Sequence, residues 1–361
     1  MLRVIFTLDY EIHGNGQGCP RALMVEPTDR LLRLFDEYGA KLTIMADVAE
    51  IMKFKEHKDT HGQDTYHYGA IASQLRRAIQ SGHDVQLHIH SSYFNATLED
   101  GGWAQDWSEY DFAALPYERM KWMVATGKKY LESLLRPVDP NYRCVAFRAA
   151  NWSVSPSRNV VKALADNGIE IDTSVFKYGR RNGLVSFDYS HADSPIVPWP
   201  VKDDDMCVRD DAGVLWEVPI YSEKRWLGAF VSPGRVYRAV TGWRHKLAQH
   251  AAPSAPGGHD APDTARRHWM SMVLNKHAWK ADFNQCGGRQ LTKALRRAAR
   301  QYDGKADSLL PFVLIGHSKL FTPRNEGAVR PFLAHSAGHP DMFQFGTLGR
   351  SILPRSAGDL M

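Results

Sequence analysis

Val4-Ile5-Phe6-Thr7-Leu8 is a run of β-prone residues that is apolar on both faces, and Asp9-Tyr10-Glu11 follows it directly. Such a run is typical of a strand buried in a parallel sheet, because a half-exposed strand alternates apolar and polar residues. Side chains alternate along a strand, so Asp9 and Glu11 point the same way if the extended conformation continues. The stretch therefore predicts a buried parallel strand with two carboxylates at its carboxyl end.

Strand and helix patterns alternate along the rest of the chain. Strands are predicted at 41–46, 84–88, 144–147, 169–171, 214–220 and 312–315, and helices at 28–38, 68–80, 117–135, 157–167 and 289–302. This alternation indicates a parallel α/β fold, either an open sheet or a barrel. A stretch rich in Pro, Gly and Ala at 251–263 predicts a flexible segment inside an insertion at about 203–290, since the α/β pattern resumes after it. We therefore expect residues 1–361 to form a single domain.

The composition limits the class of protein and its partners. Of 361 residues, 43% are hydrophobic and 24% are charged, which fits a globular protein and excludes fibrous, collagen-like and broadly disordered classes. The net charge of +5 comes from 45 basic and 40 acidic residues and is too small a bias to predict nucleic acid or an anionic membrane as a partner. We find neither a signal peptide pattern nor an apolar stretch of roughly 20 residues, so we expect a cytoplasmic protein without a transmembrane segment.

The cysteine and histidine content indicates which metal sites the chain can build. Four scattered cysteines without a CxxC pair predict neither a disulfide framework nor a thiolate zinc site, whereas 16 histidines supply ligands for a nitrogen and oxygen site. The third predicted strand ends in Gln86-Leu87-His88-Ile89-His90, where the period of two places both histidines on one face. Because ligands bind at the carboxyl ends of parallel strands, we expect this pair to lie near the Asp9 and Glu11 pair.

Three later strand ends also carry ionisable residues, namely Arg148, Asp172 and His317. Taken singly, Arg148 and Asp172 are compatible with a structural ion pair, and His317 with a residue that merely closes a strand. The joint pattern favours a functional site, because each group would cost several kcal/mol to bury without a partner.

In their order along the chain, these motifs resemble the polysaccharide deacetylase (NodB-homology) family of metal-dependent carbohydrate esterases. The matching segments are Thr7-Leu8-Asp9-Tyr10-Glu11, Gly82 to His90, Phe147-Arg148-Ala149-Ala150-Asn151-Trp152, Asp172-Thr173-Ser174-Val175 and His317. The resemblance covers about 2–175 and 214–319. It implies an α/β fold, a distorted or incomplete (β/α) barrel that is TIM-like with about seven parallel strands.

The resemblance also implies an activity and a set of residue roles. The expected reaction is hydrolysis of an acyl group, most simply N-acetyl, on a sugar or glycoconjugate intermediate. One divalent metal ion, with zinc as the expected metal, would be held by Glu11, His88 and His90. Asp9 would be the general base tuned by Arg148, and His317 the general acid oriented by Asp172. Aromatic faces suit sugar rings, so the expected substrate contacts are Tyr10, Tyr93 and Trp152.

The sequence departs from the family pattern in three places. The family more often separates its two ligand histidines by three residues, a spacing that would put the second ligand at Ser92 instead of His90. Glu11 stands in place of the usual second Asp, and the Arg148 segment lacks the common Pro-Tyr. Three other interpretations therefore stay open: a non-haem iron enzyme that uses the same His/His/Glu set, a non-catalytic sugar-binding barrel, and a hydrolase of a formyl group or a non-sugar amide.

Overall fold

The computed structural model describes residues 1–99, 102–230, 275–303 and 309–349. Its α-helices are α1 Glu26–Glu37, α2 Val48–His61, α3 Tyr68–Gln80, α4 Tyr117–Leu135, α5 Arg158–Asp166, α6 Gly288–Gln301 and α7 Pro323–Ala337. Its strands are β1 Leu2–Tyr10, β2 Leu42–Asp47, β3 Asp84–Ile89, β4 Thr97–Glu99, β5 Gly102–Ala104, β6 Ala146–Ala149, β7 Ile171–Asp172, β8 Arg180–Arg181, β9 Phe187–Asp188, β10 Trp199–Lys202, β11 Asp205–Arg209, β12 Trp216–Glu217, β13 Ser222–Arg225, β14 His277–Lys280, β15 Leu310–His317 and β16 Phe343–Gly346. The predicted flexible segment at 251–263 lies outside the described residues.

A ten-stranded mixed sheet organises the molecule, with the strand order β11-β10-β12-β7-β6-β3-β2-β1-β15 and with β16 paired to β1. The pairings from β15 through to β12 are parallel, while β10 pairs antiparallel with both β11 and β12. Parallel bridges join Ile220 to Val313 and Asp282 to Ile315, so chain that follows β12 and β14 covers the outer edge of β15. The sheet is thereby curled into a half-barrel that is compatible with the expected distorted (β/α) barrel. The expected count of about seven parallel strands is not confirmed.

Strand β1 is buried on both faces, as the apolar run predicted. One face carries Phe6, whose ring centroid lies 4.4 Å from that of Phe35 on α1, within the main core between sheet and helices. The opposite face carries Ile5, which belongs to a separate small cluster with residues from four other sheet strands: Met45, Ala146, Ile171 and Val313, together with Val218 and Leu348. This second cluster fills the concave face of the curled sheet. Odd-numbered residues of β1 therefore point into the barrel, and even-numbered residues point toward the helices.

The sequence patterns located most of the elements that carry the barrel. Helices α3 and α4 have the predicted bounds, and the predicted strands and remaining helices overlap observed ones. Helices α2 and α7 were not predicted. The carboxyl-terminal half of α2 is strongly charged, and α7 contains Pro331, so neither shows the long apolar stripe that reveals an amphipathic helix. Within the described segments, no helix has the length and apolar character needed to span a membrane.

Candidate active site

The carboxyl ends of five parallel strands bring polar side chains together on the concave face. In the sheet register, Asp9 on β1 neighbours His317 on β15, and Asp47 on β2 neighbours His88 on β3. His88 in turn neighbours Arg148 on β6. These pairings span β15, β1, β2, β3 and β6 in the order of the sheet, so the expected gathering of strand-end residues takes place.

Glu11, His88 and His90 form a compact group of possible metal ligands. The Oε2 atom of Glu11 lies 3.5 Å from Nε2 of His88 and 3.2 Å from Nδ1 of His90. One nitrogen or oxygen of each residue falls within 4.8 Å of the others, and all three residues are mostly or fully buried. Ser92, at the more common family spacing, instead donates from its hydroxyl to Oε1 of Gln105, 2.8 Å away. The structure thus groups His90, and not Ser92, with Glu11 and His88.

His88 is held in a form that leaves its second nitrogen available. Its Nδ1 lies 2.8 Å from the carbonyl oxygen of Arg148, and because a carbonyl only accepts, Nδ1 must carry the proton. In the neutral imidazole, Nε2 therefore carries the lone pair. Both this atom and Oε2 of Glu11 are buried without a hydrogen-bond partner among the described residues. An imidazole nitrogen and a carboxylate oxygen that lie side by side without hydrogen-bond partners are suitable ligands for a borderline ion such as zinc. The residues present therefore fit the metal site that the family resemblance implies.

A second group of possible ligands, Asp47, Glu50 and His90, overlaps the first at His90. Both carboxyl groups of this second set already accept hydrogen bonds from other parts of the protein. Asp47 accepts a hydrogen bond from Nδ1 of His90 at 2.6 Å. It also accepts one from the amide of Ala49 and so caps the start of α2. Burial, together with the charges of Asp47 and Glu11, raises the pKa of Glu50 well above its usual value, and Glu50 accepts the amide hydrogen of Ile12. We therefore assign Asp47 and Glu50 to the positioning of His90 and β1, not to ligation.

Lys319 supplies the positive charge that keeps Glu11 ionised. Its ammonium lies 2.8 Å from Oε1 of Glu11 and donates to the carbonyl of Ile12 at 2.9 Å. Burial alone would raise the pKa of Glu11, but the attraction of Lys319 and His90 outweighs it and holds that pKa well below its usual value. Burial alone would lower the pKa of Lys319, yet its pairing with Glu11 raises it. Glu11 is thus a carboxylate whose Oε1 pairs with Lys319 and whose Oε2 faces the two histidines.

Asp9 lies between a buried cation and an imidazole. Its Oδ1 is 2.7 Å from a terminal nitrogen of Arg148, a side chain with no exposed surface, and its Oδ2 is 3.6 Å from Nε2 of His317. Arg148 is fixed in turn by donation from Nε to the carbonyl of Thr173. Burial favours the neutral form of Asp9, but the attraction of Arg148, with smaller contributions from His88 and His317, outweighs it and lowers the pKa of this carboxyl. Asp9 is therefore an ionised carboxylate beside His317, and the possible Arg148–Asp172 ion pair is replaced by an Arg148–Asp9 pair.

Asp172 does not contact His317, contrary to the orienting role expected for it. Register pairs Asp172 with Phe147 and Glu217, on the side of the sheet opposite to Ile171 and the concave cluster. Its carboxylate accepts both the amide and the hydroxyl hydrogen of Ser174, each at 2.9 Å. The alternation of side chains along β7 is the physical reason. The backbone amide of His317 is held instead by Oδ1 of Asn284, at 2.6 Å.

Asp172 and Glu217 form a buried carboxyl pair that gives a testable pH dependence. Burial raises the pKa of both, and the negative charge of Asp172 raises the pKa of Glu217 well above 4.5. The folded state therefore retains a proton that the unfolded state releases above about pH 4.5, so the free energy of unfolding falls as the pH rises past that value. Glu217→Gln keeps a hydrogen-bond donor for Asp172 but cannot ionise, so we expect it to remove this fall.

Thermal unfolding of Glu217→Gln against wild type between pH 5 and pH 8 measures this effect. The variant should melt about 2–4 °C higher at pH 8, and this advantage should shrink toward pH 5. Glu118→Gln on the exposed side of α4 is the matched control and should leave the pH profile unchanged. A Glu217→Gln variant with the wild-type pH profile would contradict a shared proton at this pair.

The three expected substrate contacts have different positions. Tyr10 is fully buried on the helix side of β1 and donates its hydroxyl hydrogen to Gln74 on α3, so it stands on the face of the sheet away from the site. Tyr93 lies next to His90, with ring centroids 6.2 Å apart, but only 1% of it is exposed, which makes it a packing residue below the site. Trp152 is half-buried and meets His317 edge to face, with centroids 6.3 Å apart. Of the three, only Trp152 is at the site and partly accessible.

Sequence reasoning missed four residues that shape this site, namely Asp47, Glu50, Lys319 and Asn284. Asp47 had a usable signal, because it directly follows a predicted strand as Asp9 does. Lys319 stands two residues after His317, where a residue past a strand end has no defined direction. Glu50 lies on α2, which the sequence did not reveal, and Asn284 lies in the turn that follows β14. Their approach to the site therefore follows only from tertiary contacts.

The fold of this chain is similar to that of known protein structures. No protein-family model and no curated protein sequence matches this chain. Among solved structures, a "putative glycoside hydrolase/deacetylase" from Parabacteroides distasonis has a TM-score of 0.55 at 12% identity, covering 99% of this chain and 73% of that one. A GH57-type branching enzyme from Pyrococcus horikoshii has a TM-score of 0.51 at 12% identity, covering 98% of this chain and 71% of that one. These two likenesses show that the chain has the same overall fold as these two proteins.

A "putative polysaccharide deacetylase" from Mycobacterium smegmatis is also similar, with a TM-score of 0.48 at 15% identity, covering 97% of this chain and 88% of that one. The curled, half-barrel sheet described above is compatible with the barrel-like fold that the family resemblance implied. At these levels of identity, the function rests on the geometry of the site.

Proposed function

We propose that this chain is a divergent member of the polysaccharide deacetylase family, a metal-dependent hydrolase that removes an acyl group, most simply N-acetyl, from a sugar or glycoconjugate. The observation that carries the proposal is the joint geometry of two sets of residues. The first set is the possible ligand group Glu11, His88 and His90, in which Oε2 of Glu11 and Nε2 of His88 have no hydrogen-bond partner among the described residues. The second set is the ionised Asp9, whose Oδ2 lies 3.6 Å from Nε2 of His317. A binding module needs no such pairing of a buried carboxylate and an imidazole, whereas amide hydrolysis needs both a base and an acid.

Glu11, His88 and His90 would hold one divalent ion, with zinc favoured by a two-histidine, one-carboxylate set. When bound, such an ion polarises the acyl carbonyl and makes its water more acidic. The protein orients the ligands through contacts already present: the Arg148 carbonyl on His88, Asp47 on His90 and Lys319 on Glu11. These contacts fix tautomer and direction before any ligand arrives.

Asp9 and His317 would divide the proton transfers. The Asp9 carboxylate takes a proton from the attacking water, whose oxygen forms the new bond to the acyl carbon. As the carbon–nitrogen bond breaks, protonated His317 gives its proton to the leaving nitrogen, so that acetate and a free amine result. Arg148 keeps Asp9 ionised for this step, and Asn284 fixes the backbone of His317. An oxygenase has no use for this acid and base, which favours hydrolysis over the non-haem iron alternative.

Metal analysis of the purified protein, joined to acetate release from a panel of N-acetylated sugars, tests the proposal. We expect about one divalent ion per chain, as in other three-ligand catalytic sites. His88→Ala and His90→Ala should each lower the zinc content and the rate of acetate release together. Ser92→Ala is the matched control for the histidine spacing and should keep the metal. Protein that takes up no divalent metal on dialysis against zinc, and releases no acetate, would contradict the proposed function.

A further inference from the structure

Lys280, the last residue of β14, is a cation beside the candidate site without a counter-ion. It is half-buried, and its Nζ lies 3.3 Å from the ring centroid of Trp152 and 4.3 Å from that of Phe176. Within the described segments, its ammonium has no carboxylate at ion-pairing distance and no hydrogen-bond acceptor. Because Trp152 also meets the ring of His317, this ammonium lies at the entrance to the proposed acid and base.

The surroundings of Lys280 carry positive charge that no nearby carboxylate among the described residues neutralises. The pKa of Lys280 is lowered to about 7, mainly by burial. The nearby cations Arg148 and Arg181 also lower it, while the charges of Asp282 and Asp9 oppose the shift. Arg181 donates to Oδ1 of Asn151 at 3.0 Å and, like Lys280, pairs with no carboxylate in the part of the chain that the structure describes. A desolvated cation with a second cation nearby is costly until an anion joins them.

The backbone that holds Trp152 has an unusual conformation. Asn151 and Trp152 have φ angles of +54° and +59°, in the left-handed region that residues other than glycine rarely occupy. Side-chain Nδ2 of Asn151 and Nε1 of Trp152 are both buried without a partner among the described residues. Consecutive strained residues that present unpaired donors are characteristic of ligand sites, where the surrounding structure maintains the strain.

Further basic residues line an open cavity next to Phe176. Phe176 forms part of the lining of an open cavity of about 610 Å³, whose wall includes Tyr178, Arg180, Lys224 and Lys276. None of the described residues that line this cavity is acidic. Arg180 pairs with Asp188, so the local excess of positive charge comes from Lys224 and Lys276. An anion approaching the site from this side would be attracted by these two lysines.

We propose that the substrate carries an anionic group, a carboxylate or a phosphate close to the acylated sugar, and that Lys280 together with Arg181 binds it against Trp152. This inference rests on the proposed hydrolase activity for the identity of the rest of the substrate. It narrows the substrate class to acidic sugars or phosphate-linked sugars. Lys280 acts here as a specificity residue for binding, outside the proton transfers of Asp9 and His317.

Three N-acetylated probes separate the two sources of negative charge: methyl N-acetylglucosaminide as the neutral probe, N-acetylglucosamine 1-phosphate, and an N-acetylated aminosugar uronic acid. Wild-type protein should release acetate from at least one anionic probe with a kcat/KM about tenfold above that for the neutral probe. Lys280→Gln should lower this ratio about tenfold, mainly through KM, and Lys280→Arg should restore most of it. Lys55→Gln on α2 is the control and should leave the ratio unchanged.

Calorimetric binding of the same probes keeps this inference separate from the proposed activity. Anion binding that Lys280→Gln weakens about tenfold supports the anion subsite even if no probe is hydrolysed, in which case the proposed function fails alone. Equal kcat/KM for neutral and anionic probes, or probe affinity that is the same in wild type and Lys280→Gln, overturns the anion subsite while the hydrolase activity stands.

Discussion

Asp9→Asn is expected to lower the kcat for acetate release by about 10²–10⁴, the usual contribution of a general base. Asn has nearly the same shape, and its side-chain oxygen can still accept from Arg148, whose terminal nitrogen lies 2.7 Å from Oδ1 of Asp9. What Asn cannot do is accept the proton of the attacking water. The variant should therefore keep its bound metal and near-ultraviolet circular dichroism while losing turnover.

Asp59→Asn is the matched control for this change, because Asp59 is an exposed aspartate in the carboxyl-terminal half of α2, where it pairs with Lys55. It should retain wild-type kcat and metal content. The assignment of Asp9 as base would be wrong if Asp9→Asn kept more than about a tenth of wild-type kcat. Loss of metal together with activity would instead assign Asp9 to ligation.

Arg148→Met should lower the free energy of unfolding by about 3–5 kcal/mol, the cost of removing one partner of a buried ion pair. Arg148 has no exposed surface, and the side chain of Asp9 is 5% exposed, so water cannot replace the lost guanidinium. The hydrogen bonds from Arg148 to Thr173 are lost as well. Urea denaturation of wild type and variant measures the change.

The double variant Asp9→Asn/Arg148→Met separates charge from packing. If the cost comes from the uncompensated carboxylate, removing that charge should recover much of the stability lost in Arg148→Met, although the introduced amide and Thr173 still lack the guanidinium. A loss below about 1 kcal/mol in Arg148→Met, the range of exposed pairs, would contradict the buried ion pair.

Local pattern was sufficient to place the main candidate residues on one side of the sheet. The apolar run before Asp9 predicted a buried parallel strand, and the period of two placed Asp9, His88 and His317 at strand ends. The same alternation, applied strictly, also separates Tyr10 from Asp9 and Asp172 from Ile171. The expectations for Tyr10 and Asp172 followed position along the chain and the family resemblance rather than side-chain direction, and both side chains stand on the face of the sheet away from the site.

Partners across the barrel could not be predicted in this way. Lys319 meets Glu11 across about 300 residues, Asn284 meets His317 from chain beyond β14, and Asp47 meets His90 from the next strand. These contacts depend on sheet order and register, which are set by the packing of all strands together. Their consequences include the ionised state of Glu11 and the position of the His317 backbone.

The α/β alternation, the buried first strand and the order of ionisable strand ends were readable from the chain, because these follow from local periodicity within each element. The fold was needed to choose Asp9 over Asp172 as the partner of Arg148, to group His90 rather than Ser92 with Glu11 and His88, and to place Lys280 over Trp152. The physical reason is that periodicity fixes the face on which a side chain stands, whereas its partners and its charge state depend on which distant elements pack against that face and exclude water.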